Sequence, residues 1–222
     1  MMFSRRNFLH ASAAAVASVW ASTDAAFAVL PVPSGNSLSF RVMRKGSRIG
    51  THSLNFSGTG DDLAVEIAVD MAVYLGPIRM FHYKHRTTER WKDGAFISLD
   101  SKTDYDGTPA FCTVRRDGGQ FAVDGSKSGK HTAPGTVLAA THWNKAELAG
   151  PMINPENGMM LHPRISDAGT DTVALASGAT VAAQQFAWRG KDSLDLWYDR
   201  NADWVALKAV TASGEVLTYE KL

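Results

Sequence analysis

From Leu63 to Leu75 the chain alternates without a break. Leu63, Val65, Ile67, Val69, Met71, Val73 and Leu75 occupy the odd positions, and Ala64, Glu66, Ala68, Asp70, Ala72 and Tyr74 the even ones. A helix cannot place seven such residues on one side, because its side chains repeat every 3.6 residues and those of a strand every two. At about 3.3 Å per residue the run would span roughly 43 Å, long enough that the strand is expected to curve or carry a bulge.

The same period continues on both sides. Leu38, Phe40 and Val42 alternate before a Lys45-Gly46 turn, and Ile49 to Phe56 returns. Ile78–Trp91 is turned by Asp93-Gly94, Ala95–Thr103 by Asp106-Gly107, and Pro109–Arg116 by Asp117-Gly118-Gly119 before Gln120–Asp124. Later candidates are Met159–Ser166, Thr170–Leu175, Val181–Arg189, Ser193–Tyr198, Trp204–Thr211 and Glu215–Glu220. Turn residues every ten to fifteen positions mark an antiparallel meander. Strand–helix–strand alternation is absent, which argues against a parallel α/β sheet. The expected fold is therefore all-β and mainly antiparallel: a curved sheet, half-barrel or barrel of about 10–11 strands. The rhythm breaks only at 126–158, where Thr136 to Leu148 predicts one short helix, a lid across the open side of the sheet.

The first residues read as an address. Ser4-Arg5-Arg6-Asn7-Phe8-Leu9 precedes an alanine-rich run from Ala11 to Trp20, and Ala26-Phe27-Ala28 suits signal peptidase. This string resembles a bacterial twin-arginine export signal, which implies the export machinery and signal peptidase as partners and the periplasm as destination. The apolar run is too short to span a bilayer. The expected organisation is a leader over 1–28 and one β domain over 29–222, with no transmembrane segment in the mature chain. Removing the leader leaves 21 basic and 21 acidic side chains. Such a balance provides no polyanion-binding surface, so nucleic acid is not an expected partner. The single cysteine, Cys112, rules out an intramolecular disulfide or a multi-cysteine metal site, and its strand context suggests a buried thiol.

Candidate chemistry lies on Ile78–Trp91. Parity puts His82, Lys84, Arg86 and Arg90 on one face and Phe81, Tyr83, His85, Thr87, Glu89 and Trp91 on the other. His82 and His85 point to opposite faces and cannot share a metal ion without a bulge. His85 and Glu89 share a face but lie about 13 Å apart along a straight strand, so they need a group between them. Asp104 and Asp106 fit turn chemistry at the next hairpin. Phosphate loop, dinucleotide fingerprint, nucleophile elbow and zinc-protease motif are all missing, and no cofactor is expected.

Gly46-Ser47-Arg48-Ile49-Gly50, Glu89-Arg90-Trp91-Lys92-Asp93-Gly94 and Asp195-Leu196-Trp197-Tyr198-Asp199 resemble an uncharacterised family of exported bacterial β-proteins. More distantly, the layout is similar to the half-barrel of periplasmic lipoprotein carriers, which implies a sheet and lid around an apolar cavity. Three readings follow. One is a carrier of an apolar or amphipathic small molecule, lined by Tyr83, His85, Glu89, Trp91 and, from the lid, Trp143. A second is a cofactor-independent enzyme with His85 as base and Glu89 or Asp104 as its partner. The third is an envelope interaction module presenting an exposed apolar patch.

Overall fold

The computed structural model describes residues 30–59, 61–190, 193–211 and 214–222. The leader-like segment 1–28 lies outside the described residues. Eight strands build the first wing of one large sheet: β1 (Ser37–Arg44), β2 (Ser47–Thr59), β3 (Asp62–Leu75), β4 (Ile78–Lys92), β5 (Ala95–Tyr105), β6 (Thr108–Asp117), β7 (Gln120–Gly125) and β8 (Gly129–Pro134). Three two-residue strands follow, β9 (Leu138–Ala139), β10 (Met152–Ile153) and β11 (Met160–Leu161). The second wing is β12 (Arg164–Ala174), β13 (Thr180–Arg189), β14 (Ser193–Tyr198), β15 (Trp204–Val210) and β16 (Val216–Lys221).

The large sheet has 13 strands in the order β12-β13-β14-β15-β16-β1-β2-β3-β4-β5-β6-β7-β8. Every neighbouring pair in it is antiparallel. Strand β1 therefore pairs with β16, Phe40 opposite Lys221, in mid-sheet. The sheet curves without closing, and its free edges are β8 and β12. Three of its hairpins turn on residue pairs with positive φ, Lys45-Gly46, Asp93-Gly94 and Asp106-Gly107. That backbone twist matches the right-handed twist of the strands it joins.

The concave face carries the apolar parity. Leu38, Phe40, Leu54, Phe56, Leu63, Val65, Ile67, Trp91, Phe96, Leu99, Val114, Phe121 and Val123 all lie buried in one core with Trp188, Leu196, Tyr198 and Trp204. On the other face Glu66, Arg86, Asp100 and Lys102 are exposed. Burial of the aromatic and aliphatic parity, about 1.5–3 kcal/mol for each large side chain, is what curls the sheet around its own interior.

The expected helix over 136–148 does not form. Its place is taken by β9 and a single five-residue 3-10 helix, Lys145–Ala149, with Asn144 as N-cap accepting from the Ala146 N–H. Val137, Ala140 and Trp143 have helical spacing, but the segment buries side chains in several directions, including Ala139, Thr141 and Asn144. A helix offers one buried stripe, whereas this segment is enclosed on several sides. Part of the presumed lid loop is strand β8. From β8 the connector 135–163 runs across the concave face to β12, and β9, β10 and β11 form a small sheet there. It fills the concavity rather than roofing it: Val137, Trp143, Met152 and Ile153 belong to the core. Contact is backbone to backbone at Gly125 on β7, where an added Cβ would lie 2.2 Å from the Asn157 carbonyl oxygen.

Candidate functional site

Strand β4 places Thr87, Glu89 and Trp91 on the concave face, and the connector brings its own polar groups down onto them. Glu89 is 1% exposed. Its Oε2 accepts from the indole N–H of Trp91 at 2.8 Å and of Trp143 at 2.9 Å, and its Oε1 accepts from the Thr141 hydroxyl at 2.7 Å. Burial raises the Glu89 carboxyl above its usual pKa, against the pull of these three donors, and the nearby Glu147 charge adds to the rise. Of the competing influences, desolvation wins because all three donors are neutral.

A second buried carboxylate shapes the connector itself. Glu147 Oε2 accepts from the backbone N–H groups of Thr141 at 3.1 Å and His142 at 2.9 Å, while Oε1 lies 2.7 Å from His142 Nδ1. These bonds hold His142 at φ +69°, a left-handed conformation that costs a non-glycine residue energy. The His142 carbonyl accepts from the Tyr198 hydroxyl at 2.9 Å, linking the connector to the second wing. Thr141 thus joins the two carboxylates, its N–H on Glu147 and its O–H on Glu89.

Further along β4 the face changes character. His85 is buried, with Nδ1 2.8 Å from Thr103 Oγ1 and Nε2 2.6 Å from Thr87 Oγ1. Burial pushes its pKa down to about 4. Thr87 bonds His85 but not Glu89, which is committed to the two indoles and Thr141. Asp104 turns the other way, to His82 Nε2 at 3.0 Å and the Gly107 N–H at 2.7 Å. Neither pairing needed for His85 as a general base is formed. His82 and His85 do lie on opposite faces, as parity requires, and Asp104 and Asp106 serve the turn and His82. No cluster of three metal-binding side chains occurs among the described residues.

Sequence reasoning thus named Tyr83, His85, Glu89, Trp91 and Trp143, and the structure divides them. Glu89, Trp91 and Trp143 meet, as an internal bond network in the packed half. Tyr83 and His85 stand beyond it, their rings stacked 6.3 Å apart, and the Tyr83 hydroxyl donates to Glu156 Oε1 of the connector at 2.5 Å. Past them burial of the inward parity falls off. Met71, Val73, Phe81, Leu217 and Tyr219 face inward by register yet are only half-buried, and Tyr105 is 56% exposed. The inward parity is thus fully buried at one end and half-exposed at the other.

Several residues gave no signal in the sequence. Thr141, Glu147 and Glu156 lie in the segment read as helix or loop. His52 is 7% exposed, both its ring nitrogens lack a hydrogen-bond partner, and it sits edge-on to Trp204 and Tyr219. Burial, with His142 and His85 nearby, pushes it down to about 3. Cys112 matches its sequence reading: it is fully buried, and desolvation pushes the thiol up to about 12, leaving it unreactive.

Residues 40–221 match the family model of a domain of unknown function, DUF6134. No curated protein matches the sequence. The fold is similar to the crystal structure of a beta-barrel-like protein of the domain of unknown function DUF1849 from Brucella abortus. That match has a TM-score of 0.58 at 12% identity and covers 84% of this chain and 94% of that one.

The buried groups make three predictions. Glu89→Leu strands three buried donors, each costing about 1–3 kcal/mol, so urea unfolding should show a loss of at least about 3 kcal/mol. Glu89→Gln keeps an acceptor for the indoles and should remain folded. Because the folded pKa of Glu89 is raised, its favourable contribution is complete below the unfolded value and is lost as pH rises through the folded one. Glu89→Gln should remove that fall, and an unchanged pH profile would contradict the assignment. His52 and His85 act in the opposite sense. Their unfolded imidazoles take up protons near pH 6.5, the folded ones only near 3 and 4, so stability drops as pH falls through this window. His52→Phe should flatten that acid limb in chemical denaturation, and a limb as steep as before would refute the buried neutral form.

Proposed function

The chain belongs to the DUF6134 family, and we propose that it acts as a binding protein for an amphipathic small molecule, held in the open end of the concave face. One observation carries this reading. Met71, Val73, Phe81 and Tyr105 lie on the inward parity of the sheet, yet the first three are only half-buried and Tyr105 is exposed. Folding normally hides such a row, and a ligand burying it gains about 25 cal/mol for each Å² removed from water. At the inner end of the row the Tyr83–Glu156 pair offers a polar contact for a head group. The packed half, with Glu89, Trp91 and Trp143, serves as the rigid floor rather than as lining.

The reading departs from an enclosed carrier cavity in one respect: the interior is divided, and only the open half is available. We further propose that the protein works in the periplasm, delivered there by its twin-arginine-like leader.

The binding proposal is tested with a neutral apolar fluorophore, N-phenyl-1-naphthylamine. We expect saturable fluorescence enhancement, competition by long-chain amphiphiles, and about a tenfold weaker response for Met71→Glu, checked for intact fold by circular dichroism. Folded wild-type protein that shows no saturable response would defeat it. For export, replacing Arg5-Arg6 with two lysines should leave the full-length precursor in the cytoplasmic fraction. Processing to the mature size despite the exchange would remove the twin-arginine route.

A further inference from the structure

Beyond the open concavity, the β3–β4 hairpin runs on alone. Strand β2 stops pairing with β3 at Gly50–Met71, and β5 stops pairing with β4 at Tyr105–Tyr83. Beyond the backbone bond from the Asp106 N–H to the His82 carbonyl, residues 73–81 therefore form a two-stranded arm with a neighbouring strand on neither side. A lone two-stranded ribbon is marginal in water even with one apolar face. This arm is apolar on both faces at its apex. Tyr74, Leu75, Ile78 and Met80 are all more than half exposed, Leu75 at 69% and Ile78 at 61%, around the Gly76-Pro77 turn.

Two arginines without an ion pair among the described residues lie toward this end of the sheet. Arg79 lies between Ile78 and Met80, and Arg48 stands on the adjacent strand where its pairing with β3 has ended. Neither forms an ion pair among the described residues, and Arg48 reaches only the Gly50 carbonyl. The carboxylates of the same turn end, Asp104 and Asp106, are engaged by His82, and Glu215 by Arg44 and Lys45. An apolar apex with a tyrosine at its base and unpaired arginines beside it matches the layering of a bilayer interface. Acyl chains would take Leu75 and Ile78, the carbonyl zone Tyr74, and lipid phosphates Arg79 and Arg48.

We propose that the β3–β4 arm inserts into the surface of an anionic lipid bilayer and docks the open end of the sheet against it. The inference does not depend on the ligand reading, since an arm can anchor a protein whose concavity stays empty.

Cosedimentation of the full mature chain with vesicles of phosphatidylcholine, with and without phosphatidylglycerol, tests it. We expect binding that rises with phosphatidylglycerol and falls with salt. Leu75→Asp should weaken it about tenfold or more, and Arg79→Gln should weaken it only on the anionic vesicles. These side chains touch no core residue, so both variants should keep the wild-type unfolding midpoint. A fluorophore on Ile78→Cys should shift to the blue on binding, the buried Cys112 staying unlabelled. Three outcomes would each overturn the proposal: no association with either vesicle, association untouched by Leu75→Asp, or an arm covered by a second copy of the chain. The last would show as a dimer that Leu75→Asp converts to monomer.

Discussion

Glu89 is the point at which two separately built parts of this protein become one. The sheet supplies the carboxylate and Trp91; the connector supplies Trp143 and Thr141. Taking a carboxylate out of water is costly, and here it meets no cation to offset that cost, only neutral donors. The arrangement stays favourable because every donor around it would otherwise be buried without an acceptor. The network therefore fixes one seating of the connector among many that hydrophobic packing alone would tolerate. Glu147 acts upstream of it, by bending the backbone at His142 so that Thr141 can face Glu89.

From that seating follows the asymmetry of the concave face. Where the connector is pinned, the interior is packed with Trp143, Met152 and Ile153. Beyond Tyr83 and His85, the inward parity of β3 and β4 continues only half-buried. Two adjacent stretches of one strand thus play different parts, one in packing and one in presenting apolar surface. Neutral histidines mark the boundary between them, as expected where polar groups lie too deep to carry charge.

Much of this was legible in the sequence, for a simple reason. The alternation of β3 and the parity of Tyr83, His85, Glu89 and Trp91 are local properties of an extended chain, and the strands honour both as far as Val73, where the register with β4 shifts. The Asp93-Gly94 and Asp106-Gly107 turns are equally local. The connector was not legible. Trp143 packs into the core against the sheet, from an irregular stretch before a short 3-10 turn rather than from the expected helix. Glu147 read as one more charge on that helix, because its partners are backbone N–H groups aligned only after His142 adopts its left-handed turn. Thr141 meets Glu89 across 52 residues of sequence, a distance over which no spacing rule operates. His85 and Glu89 shared a face as parity required, yet the connector's donors claimed the glutamate first.

The seam between β1 and β16 bears on how the chain comes to be folded at all. Phe40 lies opposite Lys221, and Arg41 holds Glu220 at 2.6 Å across the join. A nascent polypeptide can form the hairpins from β1 to β8 as they emerge from the ribosome. Its β1 edge, though, stays unpatched in mid-sheet until β16 has been translated. The native topology is thus withheld until β16 emerges, and until then the growing chain carries the kind of edge that invites misassociation.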